Sequence, residues 1–315
     1  MVVCADAMDG IRRFCPENAI DCCVTSPPYF NLRDYGVDGQ IGNESAPEDY
    51  VSRLVEVFRE VRRVLRDDGT LWVIIGDSYA GSGKGGNPIG REGKQDTNKG
   101  TLTIKGKKTP TFDGLKPKDL IGIPWMLAFA LRADGWYLRQ DIIWHKPNAM
   151  PESVRDRCTR AHEYIFMFTK SPRYFYDNEA VAEKAVNGDP RPPRGSKGAL
   201  TENLGRRKQD GHGRRHAGFN ERYHSNEHAP VTTRNRRSVW TVTTKPLKEA
   251  HFATFPPDLI EPCILASSRP GGIVLDPFCG SGTVGLLAER HGREFIGIDI
   301  NREYCELAER RINKS

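Results

Sequence analysis

Two patterns of apolar residues alternate along most of the chain. Short continuous apolar runs are typical of strands that are buried on both faces of a parallel sheet. Between these runs, apolar residues recur every three or four positions, which predicts amphipathic helices. The predicted strands are 21–25, 70–77, 137–146, 162–170, 273–278 and 294–300. The predicted helices are 45–69, 117–135, 255–272, 282–292 and 301–312.

The first of these helices carries sequence signals at both ends. Ser45 and Glu48 match a capping box, and Gly69 is the residue type that commonly ends a helix. The alternation of strands and helices predicts an α/β fold with a doubly wound, mostly parallel sheet and helices on both faces. In such sheets, ligands bind at the carboxyl ends of the strands.

The segment DPFCGSGT at 276–283 has the arrangement that a nucleoside-bearing cofactor requires. A predicted strand ends at Asp276, and a Gly-Ser-Gly turn then allows the backbone to approach a ligand closely before a helix begins. Asp299 ends the next predicted strand, nineteen residues after Gly280, close to the ~20 expected before a carboxylate that binds ribose hydroxyls. The lysine of a phosphate-binding P-loop is absent from this segment.

The segment TSPPY at 25–29 follows the first predicted strand. Two successive prolines fix φ and lack N–H groups, so this turn presents carbonyl oxygens without neighbouring donors. A planar base with an exocyclic amine fits here: its amino protons can point at the Ser26 oxygen and the Pro27 carbonyl while its ring stacks on Tyr29. Pulling both amino hydrogens out of conjugation concentrates the nitrogen lone pair, which can then attack an electrophilic methyl group.

The net charge of +6 is unevenly distributed. Residues 184–248 hold fifteen Lys or Arg and five acidic residues, a local charge of +10, which leaves −4 for the rest of the chain. This basic segment is poor in large aliphatic residues, so we expect it to be partly mobile, and its charge predicts a polyanionic partner. A second basic, Gly-rich stretch at 78–111 is predicted to be a flexible loop.

These motifs together resemble the β group of DNA amino-methyltransferases, in which an (S/D)PP(Y/F) motif precedes an FxGxG cofactor motif. Here SPPY at 26–29 precedes DPFCGSG at 276–282, and the basic segment lies where that group carries its target-recognition region. The stretches at 2–11 and 251–264 are also similar to family segments. The resemblance implies a Rossmann-like S-adenosylmethionine-dependent methyltransferase fold with permuted motif order, acting on double-stranded DNA.

The resemblance also implies roles for individual residues. The catalytic residues would be Ser26, Pro27, Pro28 and Tyr29. The cofactor S-adenosylmethionine would be bound by Asp6, Thr25, His251, Thr254, Pro256, Asp276, Phe278, Gly280, Ser281, Gly282, Thr283 and Asp299. The DNA, with its target base flipped out, would be bound by Arg206, Arg207, Lys208, Arg214, Arg215, Arg234, Arg236 and Arg237. No metal ion is expected to take part.

The serine before the prolines favours the N4 amine of cytosine, because family members with DPPY mostly act on the N6 amine of adenine. Adenine stays open as an alternative, since both amines present the same geometry. A non-catalytic DNA-binding protein on the same scaffold is an alternative of another class. Methylation of cytosine C5 would need a cysteine nucleophile, and Pro262-Cys263 lies within an apolar helical run that fits a core position better.

The motif order predicts the domain organisation. Residues 1–183 would form the catalytic half of the methyltransferase domain, 184–248 the target-recognition region, and 249–315 the cofactor-binding part of the same domain. No apolar stretch reaches the ~18 residues of a membrane span. The first ten residues show no basic region followed by an apolar one, so we expect no secretory signal. We expect a cytoplasmic protein of bacterial or phage origin, monomeric or homodimeric, with a cognate restriction endonuclease as a candidate partner.

Overall fold

The computed structural model describes residues 1–32, 37, 39–81, 112, 114–185, 233–244 and 255–313. The chain divides into two compact units, one of Met1–Ala180 with Arg237–Ser315 and the other of Val181–Arg236. Several sequence predictions fall outside the described residues. They concern most of the loop 78–111 and of the basic segment, and the residues His251, Thr254, Arg206, Arg207, Lys208, Arg214 and Arg215.

The described elements alternate along the chain as the apolar pattern predicts. The strands are β1 (Val2–Cys4), β2 (Ile20–Thr25), β3 (Leu65–Ile75), β4 (Tyr137–His145), β5 (His162–Thr169), β6 (Glu183–Lys184), β7 (Thr233–Arg234), β8 (Val239–Thr241), β9 (Ile273–Asp276) and β10 (Glu294–Asp299). The helices are α1 (Ala7–Phe14), α2 (Pro47–Val64), α3 (Ile123–Ala133), α4 (Pro257–Ser267), α5 (Thr283–Arg290) and α6 (Arg302–Ile312).

Eight strands of the larger unit form one sheet in the order β1-β10-β9-β2-β3-β5-β4-β8. Neighbouring strands are parallel except for the two pairs that involve β5, which is antiparallel to β3 and to β4. The predicted doubly wound, mostly parallel sheet is therefore confirmed. The chain moves one way across the sheet from β2 to β3 and the other way from β9 to β10, so a topological switch point lies between β9 and β2.

The centre of the sheet is its most completely buried part. All six residues of β2 are buried, as are the last seven residues of β3. Helix α2 covers one face with Leu54, Phe58 and Val61, each fully buried. Each large apolar side chain buried in this way stabilises the fold by about 1.5–3 kcal/mol relative to exposure. Strand β2, whose carboxyl end leads into SPPY, is thereby held firmly at the centre of the sheet.

Two local predictions about α2 are wrong. The helix is capped at Ala46, which has no side-chain acceptor, and Pro47 occupies its first turn. The Ser45 hydroxyl lies 3.4 Å from the Asp49 carboxylate instead. The helix also ends at Val64 rather than at Gly69, because Leu65 already pairs with Ile20 of β2. Tertiary pairing with β2 thus overrides the local signal of the glycine.

Helix α3 begins later than the apolar pattern predicts. The Asp77 carboxylate, which follows β3, accepts hydrogen bonds from the backbone N–H groups of Gly122 and Ile123 at 3.0 and 3.1 Å. This carboxylate therefore caps a helix 46 residues further along the chain. No local pattern around Ile123 could reveal a cap supplied from such a distance.

The smaller unit contains a two-stranded antiparallel sheet of β6 and β7, in which Glu183 pairs with Arg234. The side chains of these two residues also form an ion pair at 3.3 Å. The division of the chain at residues 184 and 248 stays a prediction.

Candidate active site

The two sequence motifs project from neighbouring strands of the sheet. Strand β2, which leads into Ser26–Tyr29, pairs in parallel with β9, which leads into the glycine loop, here defined as Gly280–Gly282. At the carboxyl ends of these strands, the Thr25 hydroxyl donates a hydrogen bond of 2.6 Å to Asp276 Oδ1. The proline turn, here defined as Ser26–Tyr29, and the glycine loop therefore leave the sheet side by side at its switch point.

Asp276 is a buried carboxyl group with one unused oxygen. Its Oδ1 accepts from the Thr25 hydroxyl and from the backbone N–H of Phe278 at 3.1 Å. Its Oδ2 is buried and has no hydrogen-bond partner among the described residues. Burial raises the pKa of Asp276 to about 7, against the opposing effect of those two hydrogen bonds. A buried acceptor of this kind suits a positively charged donor from a ligand.

The glycine loop depends on backbone conformations that favour glycine. Gly280 has a φ of 48° and Gly282 a φ of 74°, both in the left-handed region. A Cβ atom on Gly282 would also lie 2.8 Å from the Cβ of Ala308 in α6, so only glycine allows this approach. The backbone at Gly282 is therefore packed closely against α6, while the space beside Gly280 stays open.

Asp299 connects the glycine loop to the end of β10. Its Oδ2 accepts from the backbone N–H of Gly280 at 2.9 Å, and its Oδ1 accepts from that of Asn301 at 2.9 Å. Burial raises the pKa of Asp299, and both hydrogen bonds oppose that rise. Each oxygen keeps a further lone pair, so a ribose hydroxyl can still donate to the carboxylate.

Asp6 lies at the next strand end along the same edge. Strand β1 pairs with β10 so that Cys4 is opposite Asp299, and the N–H of Ala5 donates to the Asp299 carbonyl at 3.0 Å. The Asp6 carboxylate caps α1 by accepting from the N–H groups of Met8 and Asp9. The structure therefore brings Asp6, Asp276 and Asp299 to three adjacent strands of one sheet edge.

Other predicted cofactor residues take more structural positions. Ser281 and Thr283 are buried with their hydroxyls 3.4 Å apart, and Arg311 of α6 donates to the Ser281 carbonyl. Pro256 is the buried residue that caps α4, and the half-buried ring of Phe278 packs at the border of the core. Among the predicted DNA contacts that are described, Arg234 pairs with Glu183, Arg236 is half-buried and Arg237 is exposed.

The proline turn differs in one respect from the sequence prediction. Ser26 is half-buried and Pro27 buried, and no donor among the described residues reaches the Pro27 carbonyl, as expected. The Pro28 carbonyl, however, accepts a hydrogen bond of 2.7 Å from the hydroxyl of Tyr50 in α2. The expectation that both proline carbonyls lack neighbouring donors is wrong for Pro28, because Tyr50 of α2 supplies a donor.

Tyr29 is held through its hydroxyl group. The hydroxyl donates a hydrogen bond of 2.8 Å to Glu163 Oε2 in β5. Burial and then the nearby Glu163 carboxylate raise the pKa of Tyr29 well above its usual value, and a hydrogen bond from Ser26 opposes this. Tyr29 is therefore a neutral donor throughout the physiological range.

Sequence reasoning missed Tyr50, Glu163 and the neighbouring Lys146. All three contact the proline turn or each other, although they lie on α2, β5 and the end of β4. Their only sequence signal is a polar residue at the border of an apolar element, which is common in any chain.

No cluster of three His, Cys, Asp or Glu side chains in the described part of the chain could hold a metal ion. Likewise, no helix within the described ranges is long and apolar enough to cross a membrane.

Solved structures with the same fold were found by comparison of the whole chain. A PvuII DNA methyltransferase described as cytosine-N4-specific matches with a TM-score of 0.62 and 18% identity, over 99% of this chain and 85% of that one. The complex of M1.HpyAVI with S-adenosylmethionine matches with a TM-score of 0.54 and 18% identity, over 99% and 98% of the two chains. At these identities the likeness concerns the fold.

Sequence relatives are much closer to this chain. The Type II methyltransferase M.Cfr9I of Citrobacter freundii is 48% identical over 98% of this chain and 85% of its own length. The Type II methyltransferase M.SmaI of Serratia marcescens is 46% identical over 99% of this chain and 90% of its own. The model of the N6/N4 methyltransferase family, described as DNA methylase, matches residues 20–310. The chain therefore belongs to this DNA methylase family and is an S-adenosylmethionine-dependent DNA methyltransferase.

Proposed function

We propose that the enzyme methylates the exocyclic N4 amine of cytosine in duplex DNA, after the base has been flipped into a pocket between the proline turn and the glycine loop. The hydrogen bond between Thr25 and Asp276 carries the proposal, because it joins the strand ends from which the two motifs project. The presence of Ser26, rather than an aspartate, before the two prolines favours cytosine N4 over adenine N6.

The cofactor fits the acidic strand ends and the open glycine loop. When bound, S-adenosylmethionine supplies an electrophilic methyl group on a sulfonium centre. We assign the unpartnered Asp276 Oδ2 to its ammonium group and Asp299 to its ribose hydroxyls. Asp6 would lie on the adenine side, and Phe278 would line the adenosine pocket. The same proposal includes contacts with the cofactor by the other residues that the sequence predicts, which are Thr25, His251, Thr254, Pro256, Ser281, Gly282 and Thr283.

The proline turn would hold the target amine. The Ser26 oxygen and the Pro27 carbonyl accept the two amino protons, while the Tyr29 ring stacks on the base. The hydrogen bond from Tyr50 to the Pro28 carbonyl fixes the turn and leaves the Pro27 carbonyl available. With both amino protons held by the two acceptors, the nitrogen lone pair would point out of the plane of the ring towards the methyl group. As the nitrogen–carbon bond formed, the bond between the methyl carbon and the sulfonium sulfur would break, a neutral thioether would leave, and the methylated amine would release one of its protons.

The basic segment 184–248 would bind the duplex. Its local charge of +10 suits the phosphate backbone, and its Arg and Asn side chains suit base edges in the grooves. The Type II designation of the relatives supports a cognate restriction endonuclease as a partner. Those relatives come from bacteria, which supports a bacterial cytoplasm as the location of the enzyme. The enzyme would act as a monomer or a homodimer.

The decisive experiment identifies the modified base. DNA from cells that express the enzyme, and from cells that express a Ser26→Ala variant, is digested to nucleosides and analysed by mass spectrometry. We expect N4-methylcytosine with the unaltered enzyme and much less of it with Ser26→Ala. N6-methyladenine in its place would overturn the choice of base while leaving the chemistry of the turn intact. Single-molecule sequencing of the same DNA then gives the recognition site.

A further inference from the structure

The ring of Tyr29 is held more tightly than a stacking surface requires. Its hydroxyl donates to Glu163 at one end, and the backbone of Gly76 lies against its edge. A Cβ atom on Gly76 would lie 2.8 Å from Cε2 of Tyr29 and 3.4 Å from the carboxyl carbon of Glu163. The position of the ring is therefore defined by the end of β3 and by the carboxylate of β5.

The Glu163 carboxylate is itself fixed by Lys146. The Lys146 ammonium group forms an ion pair with Glu163 Oε1, and the two side chains are only 18% and 17% exposed. The lysine takes Oε1 of this largely buried carboxylate and leaves Oε2 for the Tyr29 hydroxyl. One carboxylate thus serves two donors, each through its own oxygen.

Lys146 is held by the strand that precedes it. Its ammonium group lies 4.1 Å from the centroid of the Trp144 ring, and its backbone N–H donates to the Ala161 carbonyl at 2.8 Å. The Trp144 indole N–H donates in turn to the Val242 carbonyl at 2.8 Å. A continuous set of contacts therefore runs from residue 242, just after β8, to the aromatic ring of the proline turn.

We propose that Glu163, held in place by Lys146, is a positioning residue that fixes the Tyr29 ring for the flipped base. The inference rests on the proposed function, which makes the Tyr29 ring the stacking surface for that base. A displacement of the ring by about 1 Å is enough to lower the rate of transfer by up to ~100-fold, because the amine must face the methyl group. Glu163 acts on the reaction only through Tyr29.

A double-mutant cycle tests this inference. Tyr29→Phe removes the hydroxyl donor but keeps the ring. Glu163→Gln leaves one oxygen to accept from both the Tyr29 hydroxyl and the Lys146 ammonium group. The rate of methyl transfer is measured in single turnovers on a duplex with the mapped site and saturating cofactor. We expect each single change to lower this rate by about tenfold and the double change to lower it little further. If the double change lowers the rate by about 100-fold, the product of the two single reductions, then Tyr29 and Glu163 act independently and the inference is overturned.

Further readouts separate positioning from a general loss of structure. The dissociation constants for cofactor and duplex and the unfolding temperature should change little in both single variants. Lys146→Met should behave as Glu163→Gln does, and Lys146→Arg should restore most of the rate, because it keeps the ion pair. As a matched control, Glu261→Gln, which alters a carboxylate paired with His291, should leave the rate unchanged. A general fall in the unfolding temperature of Glu163→Gln would count against positioning.

A failure of the proposed function would look different. Tyr29→Ala removes the stacking surface itself and should lower the transfer rate more than Tyr29→Phe does. An unchanged rate in Tyr29→Ala would remove Tyr29 from the active site and with it the proposed base contact. If Tyr29→Ala lowers the rate but Tyr29→Phe and Glu163→Gln act independently, only the role of Glu163 is overturned and the proposed function stands.

Discussion

Thr25 and Asp276 are 251 residues apart in the chain, yet their side chains are joined by a hydrogen bond of 2.6 Å. This contact places the proline turn directly beside the glycine loop. Because β2 is fully buried and β9 is buried from Val274 to Asp276, neither end can move without disturbing the core. The active site is therefore held by the sheet rather than by the loops themselves.

The pKa of Asp276 predicts that cofactor affinity depends on pH. At a pKa of about 7 the group is mostly protonated in acid, whereas its proposed partner, an ammonium group, binds the ionised form. Binding must then release a proton, so affinity should fall by about tenfold per pH unit below 7 and level off above it. Calorimetry between pH 5.5 and 8 measures this, and Asp276→Asn should flatten the profile. A cofactor affinity of the unaltered enzyme that does not change with pH would contradict the proposed contact between Asp276 and the ammonium group.

Ser26→Ala tests the amine-binding role of the turn. The change removes one of two acceptors for the amino protons, so methyl transfer should fall by at least about tenfold, since the loss concerns a reacting group. Cofactor affinity should be retained, because the proposed contact of the serine is with the base. Transfer of labelled methyl groups to DNA gives the rate, with Ser45→Ala as the control. Unaltered turnover would exclude Ser26 from the active site.

Asp299→Ala should weaken cofactor binding. The substitution removes the proposed acceptor of the ribose hydroxyls and also frees the N–H of Gly280, which the carboxylate now holds at 2.9 Å. Loss of a charge-assisted hydrogen bond of this kind costs about 1.5–3 kcal/mol, or roughly ten- to a hundredfold in affinity. Calorimetry measures the dissociation constant, and Glu303→Ala in α6 serves as the control. An unchanged constant would contradict the ribose role.

Tyr50→Phe should loosen the proline turn while leaving the cofactor site intact. The lost hydrogen bond to the Pro28 carbonyl is worth about 1 kcal/mol in the free energy of unfolding. We expect a slower transfer and an unchanged cofactor affinity, because only the base side of the site is affected. Chemical denaturation and single-turnover rates measure the two effects. If the rate stays the same while stability falls, the hydroxyl has a structural role only.

Arginines of the basic segment should determine the salt dependence of DNA binding. Each phosphate contact adds about 0.9 to the slope of log affinity against log salt concentration. Replacing Arg206 and Arg207 by alanine should therefore lower the slope by up to about 1.8, without changing cofactor binding. Fluorescence anisotropy at several salt concentrations measures the slope. The control is Arg302→Ala, an exposed residue paired with Glu306 in α6, and an equal change of slope there would contradict the assignment.

Most of the secondary structure could be predicted because its causes are local. Apolar runs and three-to-four-residue periodicity located the main elements, while the predicted ends of α2 and the start of α3 were wrong. At those ends, pairing of Leu65 with β2 and a cap from Asp77 override the nearby residues. Glu163 and Lys146 could not be assigned for the same reason, since their partners lie far away in the chain.

The sequence by itself determined the alternating α/β elements, the two motifs and the chemistry that each can perform. Proline and glycine constrain the backbone where they stand, and the residue types set which atoms can accept or donate. Only the tertiary structure decided that β2 and β9 are neighbours, that Asp276 keeps a buried oxygen, and that Glu163 holds Tyr29. Those relationships arise from packing between distant segments, and such packing leaves no trace in the order of adjacent residues.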